Sequence, residues 1–446
     1  MSDQSKQQSL IYSLIAFFLV CSVLYFDCLL LFRTDYAVGI DGYYYVLQIN
    51  NLLRNGGFYF PTNTPFIFWF LSGLTYLTND SVMAVKIGVL ILQTALDVGF
   101  YVLIADITQK KWIGIIGLGI LAFSSLHLFF ISEFINSLGA ITLLVWSSAA
   151  VSKFVQTRKW YWLIFVIIGI SAAIISHRST LGLLLVISIS FAISWFFINA
   201  KDQTTVVISV ILFFLGLMFP YSLYWIFFPN VPDFLKFEIL QYPQSPFRMI
   251  TLPESLMLLF AASILIACSR TGRFTVPQKT VLIAVLIWSF FTTLNPSLNH
   301  QTGFNKIVGR LDTLVLLQAA TAAALSISLL RQTYNSIITV SANMIFLGLL
   351  CWSYFMPLPV GLRKEYLQER EILINQLKNT ERVFCNTPLI IAPHGKQFVV
   401  TYFLGVPSQQ DQPVNSDNNC VYWLVEETDI QKNITFRLLK DQNSRK

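Results

Sequence analysis

Long apolar runs separated by short polar breaks repeat along most of this chain, from Ile11 to Phe355. A bilayer's hydrocarbon layer calls for about 18–25 such residues per helix. The pattern predicts about eleven transmembrane helices, near 11–32, 82–107, 112–126, 137–155, 160–176, 180–199, 204–228, 254–268, 280–294, 311–330 and 334–355. The run 65–78 is only 14 residues long, too short to span comfortably, and reads as re-entrant or interfacial. After Met356 the pattern changes. A charge-rich helix is expected over 363–382, with Leu367, Ile372, Ile374 and Leu377 at helical spacing. Strands are expected at 388–392, 397–403 and 420–425, separated by Pro, Gly and Asn turns. The fold class is therefore an α-helical polytopic membrane protein over 1–355, followed by a small soluble α/β domain over 356–446.

Charge sets the expected orientation. Lys110-Lys111, Arg158-Lys159, Lys201, Arg270, Arg273, Lys279 and Arg331 mark loops. All fall on one face if the 65–78 run does not cross, as the positive-inside rule requires. The N-terminus is then cytoplasmic and everything after Met356 extracytoplasmic, in a multi-pass plasma (inner) membrane. The longer loops, the first of them 33–81, all lie on the outer side. The first apolar run is too long for a signal-peptide core, carries Asp27 and has no small-x-small site after it, so it reads as an uncleaved span.

Composition agrees. Hydrophobic residues make up 55% and charged residues 12% of the chain, with a mean hydropathy of +0.62; a soluble core does not account for this. The net charge of +7 is scattered through loops rather than gathered in a patch, which argues against a nucleic-acid partner. Cys21, Cys28, Cys268 and Cys351 lie in spans as packing residues. Cys385 and Cys420 are the two in the tail, where an oxidising face favours a disulfide and two buried free thiols are the alternative.

The most informative polar island is Gly39-Ile40-Asp41-Gly42-Tyr43-Tyr44-Tyr45, running on to Arg54-Asn55-Gly56-Gly57. Tyrosine suits the headgroup layer, so a helix lying flat on the outer surface is expected after Asp41. The Asp41 carboxylate can act as a general base or hold a divalent metal such as Mg or Mn; it can equally be a helix cap. Asp35 is the competing acid. In the second outer loop Glu133 and Asn136 stand on adjacent helical turns, with His127 near enough to add a ligand or a hydrogen bond; a polar cap on the next span is the alternative. His394 reads as a turn residue rather than a catalyst. Asp27 and Asp97, inside spans, are expected to face polar groups of neighbouring helices.

The stretch from Asp41 to Gly56 resembles the first-loop motif of the GT-C superfamily of membrane glycosyltransferases, with its acidic residue, aromatic pair and helix closing at Asn/Gly. That superfamily includes the catalytic subunit of oligosaccharyltransferase, the protein O-mannosyltransferases and the aminoarabinose transferase of lipid A. The topology fits over the whole chain, with a Pro-led helix at Thr64-Pro65-Phe66-Ile67, but the motifs match only in a few outer loops. Glu133 and Asn136 stand where the superfamily has a second acidic motif, a departure that weakens a two-carboxylate metal site.

The resemblance implies transfer of a sugar from a polyprenyl-phosphate donor to a glycan, lipid or protein acceptor on the outer face, at the surface of membrane lipid. Asp41 would be base or metal ligand, with Glu133 its partner. His177, Arg178, His300 and Arg310 would grip the lipid phosphate, because a cation suits phosphate oxygens and Arg binds them bidentately; snorkelling to headgroups is the bland alternative. A lipid-linked glycan polymerase or ligase is the nearest rival. A transporter, which should show inverted repeats and broken spans, is the more distant one.

Overall fold

The computed structural model describes residues 3–62, 64–177, 190, 193–194, 252–269, 274–289, 315–334, 336–380, 388–409, 420–428 and 434–440. In chain order these form α1 (Asp3–Leu31), α2 (Gly42–Asn55), α3 (Phe66–Thr78), α4 (Ser81–Thr108), α5 (Lys111–Phe123), α6 (Ser125–Ser132), α7 (Ile135–Thr157) and α8 (Tyr161–Ile174). They continue with α9 (Leu252–Ser269), α10 (Val276–Ser289), α11 (Val315–Thr333), α12 (Ser336–Tyr354), a 3-10 turn (Val360–Leu362) and α13 (Lys364–Asn379). The chain closes with β1 (Pro388–Ile391), α14 (Lys396–Leu404), β2 (Ser408–Gln409), β3 (Cys420–Thr428) and β4 (Ile434–Lys440).

Among the described residues, six helices (α1, α4, α7, α9, α11 and α12) are long and apolar enough to cross a bilayer, or seven if α5 and α6 form one span bent by 65°. This is a multi-pass membrane protein. The expected count of about eleven is not reached there. The α8 and α10 helices are 14 residues each, shorter than a full crossing, and the spans expected at 180–199 and 204–228 lie almost wholly outside the described residues.

Small residues bring the central helices together. The α11 helix carries Ala319, Ala320, Ala322, Ala323 and Ala324, all fully buried, and packs against α9 and α5. Close backbone approach is what small side chains permit between membrane helices, and Ser326 Oγ uses it to donate to the Ala261 carbonyl of α9 at 3.1 Å. By contrast α12 leaves most of its apolar surface outward, with only 17% of it buried, as a lipid-facing helix should.

The break between α5 and α6 is held by polar groups. Ser124 caps α6 by accepting from Leu126 N at 3.2 Å. Its hydroxyl also donates to Glu254 of α9, as does Ser353 of α12. Three residues on, buried His127 faces Asp27 of α1 through Nε2 at 2.9 Å and Gln93 Nε2 through Nδ1 at 3.0 Å. Gln93 in turn donates to Asp97 at 3.0 Å. Asp27 thus meets a polar group of another helix, as an ionisable residue in a membrane must, whereas the bond to Asp97 comes from its own helix, α4. Of the two roles open to His127, a ligand or a hydrogen bond, the structure shows the second, to Asp27 and Gln93.

The C-terminal layer is a four-stranded sheet of order β2-β1-β3-β4. The β1 strand runs parallel to both β2 and β3, while β3 and β4 are antiparallel, with Trp423 opposite Leu439. Segment 397–403 is a helix, not the expected strand. Parallel neighbours β1 and β2 need a crossover between them, and α14 provides it, ended by Gly405 in the left-handed region. Its β-branched and aromatic residues suggested a strand, yet Phe398, Val399, Val400, Thr401 and Leu404 are buried in helical form. The α13 helix lies where expected, with Leu367, Ile374 and Leu377 of the expected stripe buried; Leu373 is buried too, and Ile372 only half-buried. Of the tail cysteines, Cys420 opens β3 and Cys385 lies outside the described residues; Cys21, Cys28, Cys268 and Cys351 form no disulfide.

Candidate functional site

The site grows from the turn early in the first loop, between α1 and α2. Gly39 has φ +86°, and a Cβ there would stand 1.6 Å from the Ser132 carbonyl oxygen. Only glycine lets this turn press against the end of α6. The turn closes with Gly42 N donating to Gly39 O at 3.3 Å, and Tyr44 N to Asp41 O at 2.9 Å, which starts α2.

Although Asp41 occupies the N-cap position of α2, its side chain caps nothing. Oδ1 is buried and no aligned hydrogen bond reaches it. His394 Nε2, from the turn between β1 and α14, stands 3.1 Å away. A buried carboxylate oxygen left without a capping bond is costly, so the cap alternative fails. Asp35, the competing acid, is solvent-exposed.

Glu133, 9% exposed, follows α6 and reaches the same turn. Its Oε2 accepts from Ile40 N at 2.9 Å and its Oε1 from Gly361 N at 2.8 Å. One carboxylate thereby ties the residue before Asp41 to the 3-10 turn that leads into the C-terminal layer. Burial raises the Glu133 pKa above the ordinary carboxylate value; the two amide bonds and Arg370 oppose this, while Asp41 adds to it. Glu133 thus bonds the backbone of the residue before Asp41, with both of its oxygens engaged by backbone amides.

Arg370 of α13 completes the frame. Buried to 4% exposure, it donates to the carbonyls of Ala37 at 2.7 Å and Ile40 at 3.2 Å, and to the Tyr366 hydroxyl at 2.6 Å. The residues flanking Asp41 are therefore held from one side by Glu133 and from the other by Arg370.

The α2 aromatics do not lie in a headgroup layer. Tyr43 and Tyr45 are 1% and 4% exposed. Tyr43 packs on Tyr402 at 5.0 Å and Phe403 at 5.6 Å, and Tyr44 on Phe60, Phe68 and Phe398. The C-terminal layer covers the face of α2 that the sequence alone assigned to lipid. Each ring so enclosed contributes about 1.5–3 kcal/mol of burial. The Tyr45 hydroxyl accepts from Asn136 N at 3.2 Å, satisfying a first-turn amide of α7 that no side-chain cap reaches.

A divalent ion needs several oxygen or nitrogen donors converging on one point. Asp41 and His394 offer two; Glu133 spends both oxygens on amides. Among the described residues no group of three His, Cys, Asp or Glu side chains is placed to hold a metal, so the donor set present does not fit one. Of the residues expected to grip phosphate, His177 follows α8, its amide donating to Ala173 O at 3.1 Å. Arg178, His300 and Arg310 lie outside the described residues.

Sequence reasoning missed Arg370, Tyr366 and the place of His394. A signal for Arg370 existed: it sits three residues after Leu367 and four before Ile374, a cation on the apolar stripe of α13. His394 offered none, because nothing local to the tail says that its turn meets the first loop.

No protein-family model matches the chain, and no curated protein does. Solved structures do share its fold. The apo crystal structure of the Archaeoglobus fulgidus oligosaccharyltransferase matches with a TM-score of 0.57 at 11% identity, covering 88% of this chain and 64% of that one. The same organism's oligosaccharyltransferase AglB, in complex with an inhibitory peptide and a dolichol-phosphate, gives 0.54 at 12% identity, with the same coverages. A form tethered to an acceptor peptide containing the NVT sequon gives 0.56 at 12% identity, covering 88% and 63%. This chain thus spans less than two thirds of the length of these neighbours and shares their fold.

Proposed function

We propose that this protein is a membrane glycosyltransferase that moves a sugar from a polyprenyl-phosphate donor to a glycan, lipid or protein acceptor on the extracytoplasmic face. The observation that carries the reading is Asp41. Its carboxylate stands at the start of α2, in the loop after the first helix of a GT-C fold, with a buried oxygen that caps no helix and lies 3.1 Å from His394 Nε2. In support, one structure that shares the fold holds a dolichol-phosphate and another an acceptor peptide.

In this reading the residues 1–355 form the membrane part and 356–446 a soluble layer that closes over the site. The Asp41 charge drives removal of the acceptor's proton. The acceptor oxygen or nitrogen bonds to the sugar's anomeric carbon as the bond from that carbon to the phosphate oxygen breaks. The polyprenyl phosphate leaves with that electron pair, and Arg178, His300, Arg310 and His177 neutralise its charge. Glu133 and Arg370 fix the Asp41 turn, which holds the carboxylate near its productive position.

The test is incubation of the purified protein in nanodiscs with a panel of polyprenyl-phosphoryl sugars and membrane extract. The reading expects release of polyprenyl phosphate and a sugar-modified product by mass spectrometry. Turnover of a polyprenyl-diphosphate glycan alone, with chain growth, would favour the polymerase or ligase instead.

A further inference from the structure

We propose that the proton-accepting group of the site is His394, oriented by Asp41, so that the C-terminal layer supplies a reacting atom and not merely a cover. The inference rests on the reading of Asp41 above and adds the atom on which the proton comes to rest.

The geometry has three parts. First, His394 Nε2 stands within ion-pair distance, 3.1 Å, of Asp41 Oδ1, a buried oxygen that no aligned hydrogen bond reaches. Second, the histidine is delivered by a turn packed closely on the first loop. Gly395, at φ +84°, packs so that an added Cβ would meet Ile40 Cγ2 at 2.7 Å and the Tyr366 hydroxyl at 3.3 Å. The turn is therefore moulded onto the residue before Asp41. Third, the ring is half-exposed, at 51%, with Phe398 at its side, centroids 5.7 Å apart. With Nε2 turned to the carboxylate, Nδ1 is left for an incoming acceptor.

A carboxylate behind an imidazole fixes the tautomer and stabilises the imidazolium that forms. Here Nε2–H faces Asp41, so neutral Nδ1 takes the acceptor's proton. The acceptor's freed electron pair forms the new bond to the anomeric carbon, and the carbon–oxygen bond to phosphate breaks with its pair going to the polyprenyl phosphate. Nδ1 then returns the proton to solvent. The charged groups acting on the ring are Asp41 from the first loop and Glu133 from the turn after α6, both anionic. Arg370 of α13 is turned to the carbonyls of Ala37 and Ile40, and Lys396 of α14 to Glu369 and Glu426. The interaction with Asp41, opposed by burial, raises the His394 pKa above its ordinary 6.5. Activity that needs neutral imidazole should therefore rise with pH through a value above 6.5.

Two measurements test this on the full-length protein in nanodiscs. The first needs no substrate. The chain has 4 histidines, and ring-labelled His NMR on wild type and His394→Gln identifies the His394 signal. Its midpoint should lie above 6.5 and fall in Asp41→Asn; a midpoint unmoved by Asp41→Asn overturns the pairing. The second is the pH profile of kcat/KM for donor consumption. Replacing His394 with Gln should lower the rate about 100-fold or more, the usual scale for general base catalysis, and abolish the acid limb. Added imidazole should restore part of the rate in His394→Ala. A His394→Gln rate within about twofold of wild type, or a lower rate with the acid limb intact, overturns the inference while Asp41→Asn is inactive. If Asp41→Asn itself stays active, the underlying reading fails and the inference with it.

Discussion

Arg370 donates from Nη1 to the carbonyl oxygen of Ala37 at 2.7 Å, joining residues 333 positions apart in the chain. A second nitrogen reaches Ile40 O, so one guanidinium from the C-terminal layer holds both ends of the turn before Asp41. Replacing Arg370 with Ala leaves buried carbonyls unpaired, at about 1–3 kcal/mol each. Lysine cannot reproduce the fork. Both variants should insert normally yet lose most transfer activity and melt at lower temperature, with Arg370→Ala the worse; unchanged melting would show that the contacts carry no weight.

Glu133→Gln probes the opposite side of the turn. Glutamine keeps the shape but presents an NH2 group to one of the two amides that the carboxylate accepts from. The clash of donors should loosen the junction. Hydrogen exchange at Ile40 and Gly361 should quicken at least tenfold, and transfer should fall. Because folding raises the Glu133 pKa, its contribution to stability is fully present below the ordinary 4.5 and is lost as pH rises through the folded value. Glu133→Gln removes that dependence, so its penalty should shrink as pH rises from 4.5; a penalty that grows instead would contradict the assignment.

Gly39 and Gly56 separate backbone strain from steric contact. Both have positive φ, but a Cβ at Gly56 meets nothing within 4 Å, whereas at Gly39 it strikes the Ser132 carbonyl. Gly56→Ala should cost about 1–2 kcal/mol, the left-handed penalty for a residue with Cβ. Gly39→Ala should cost clearly more and reduce activity with it. Equal shifts in thermal unfolding would mean that the turn does not press on α6.

The α3 helix should not cross the membrane. At 13 residues it extends about 20 Å, against a hydrocarbon layer of about 30 Å. Cysteines introduced at Gly57 and Asn79 should label from the same side; opposite sides would refute the re-entrant reading and invert the charge topology.

Much of the membrane part was legible because a lipid solvent imposes long apolar runs, and α1, α4, α7, α9, α11 and α12 fall where those runs lie. Asp41 was legible because a carboxylate beside three tyrosines interrupts them. The burial of those tyrosines was not, since Tyr43 packs on Tyr402 and Phe403, and tertiary contacts between distant segments leave no local pattern. Segment 397–403 misled for a related reason: short apolar runs rich in Val, Phe and Tyr do not separate strand from helix, and the parallel pairing of β1 with β2 decided it.

The central claim is that the Asp41 carboxylate drives acceptor deprotonation, and transfer by Asp41→Asn tests it most directly. Asparagine keeps the size and the capping capacity of aspartate, so inserted, folded protein with a wild-type melting profile is expected. Donor consumption by that protein should fall about 100-fold or more, on the scale of lost acid–base catalysis. Near-normal turnover by folded Asp41→Asn would contradict the account and move the search to Asp35.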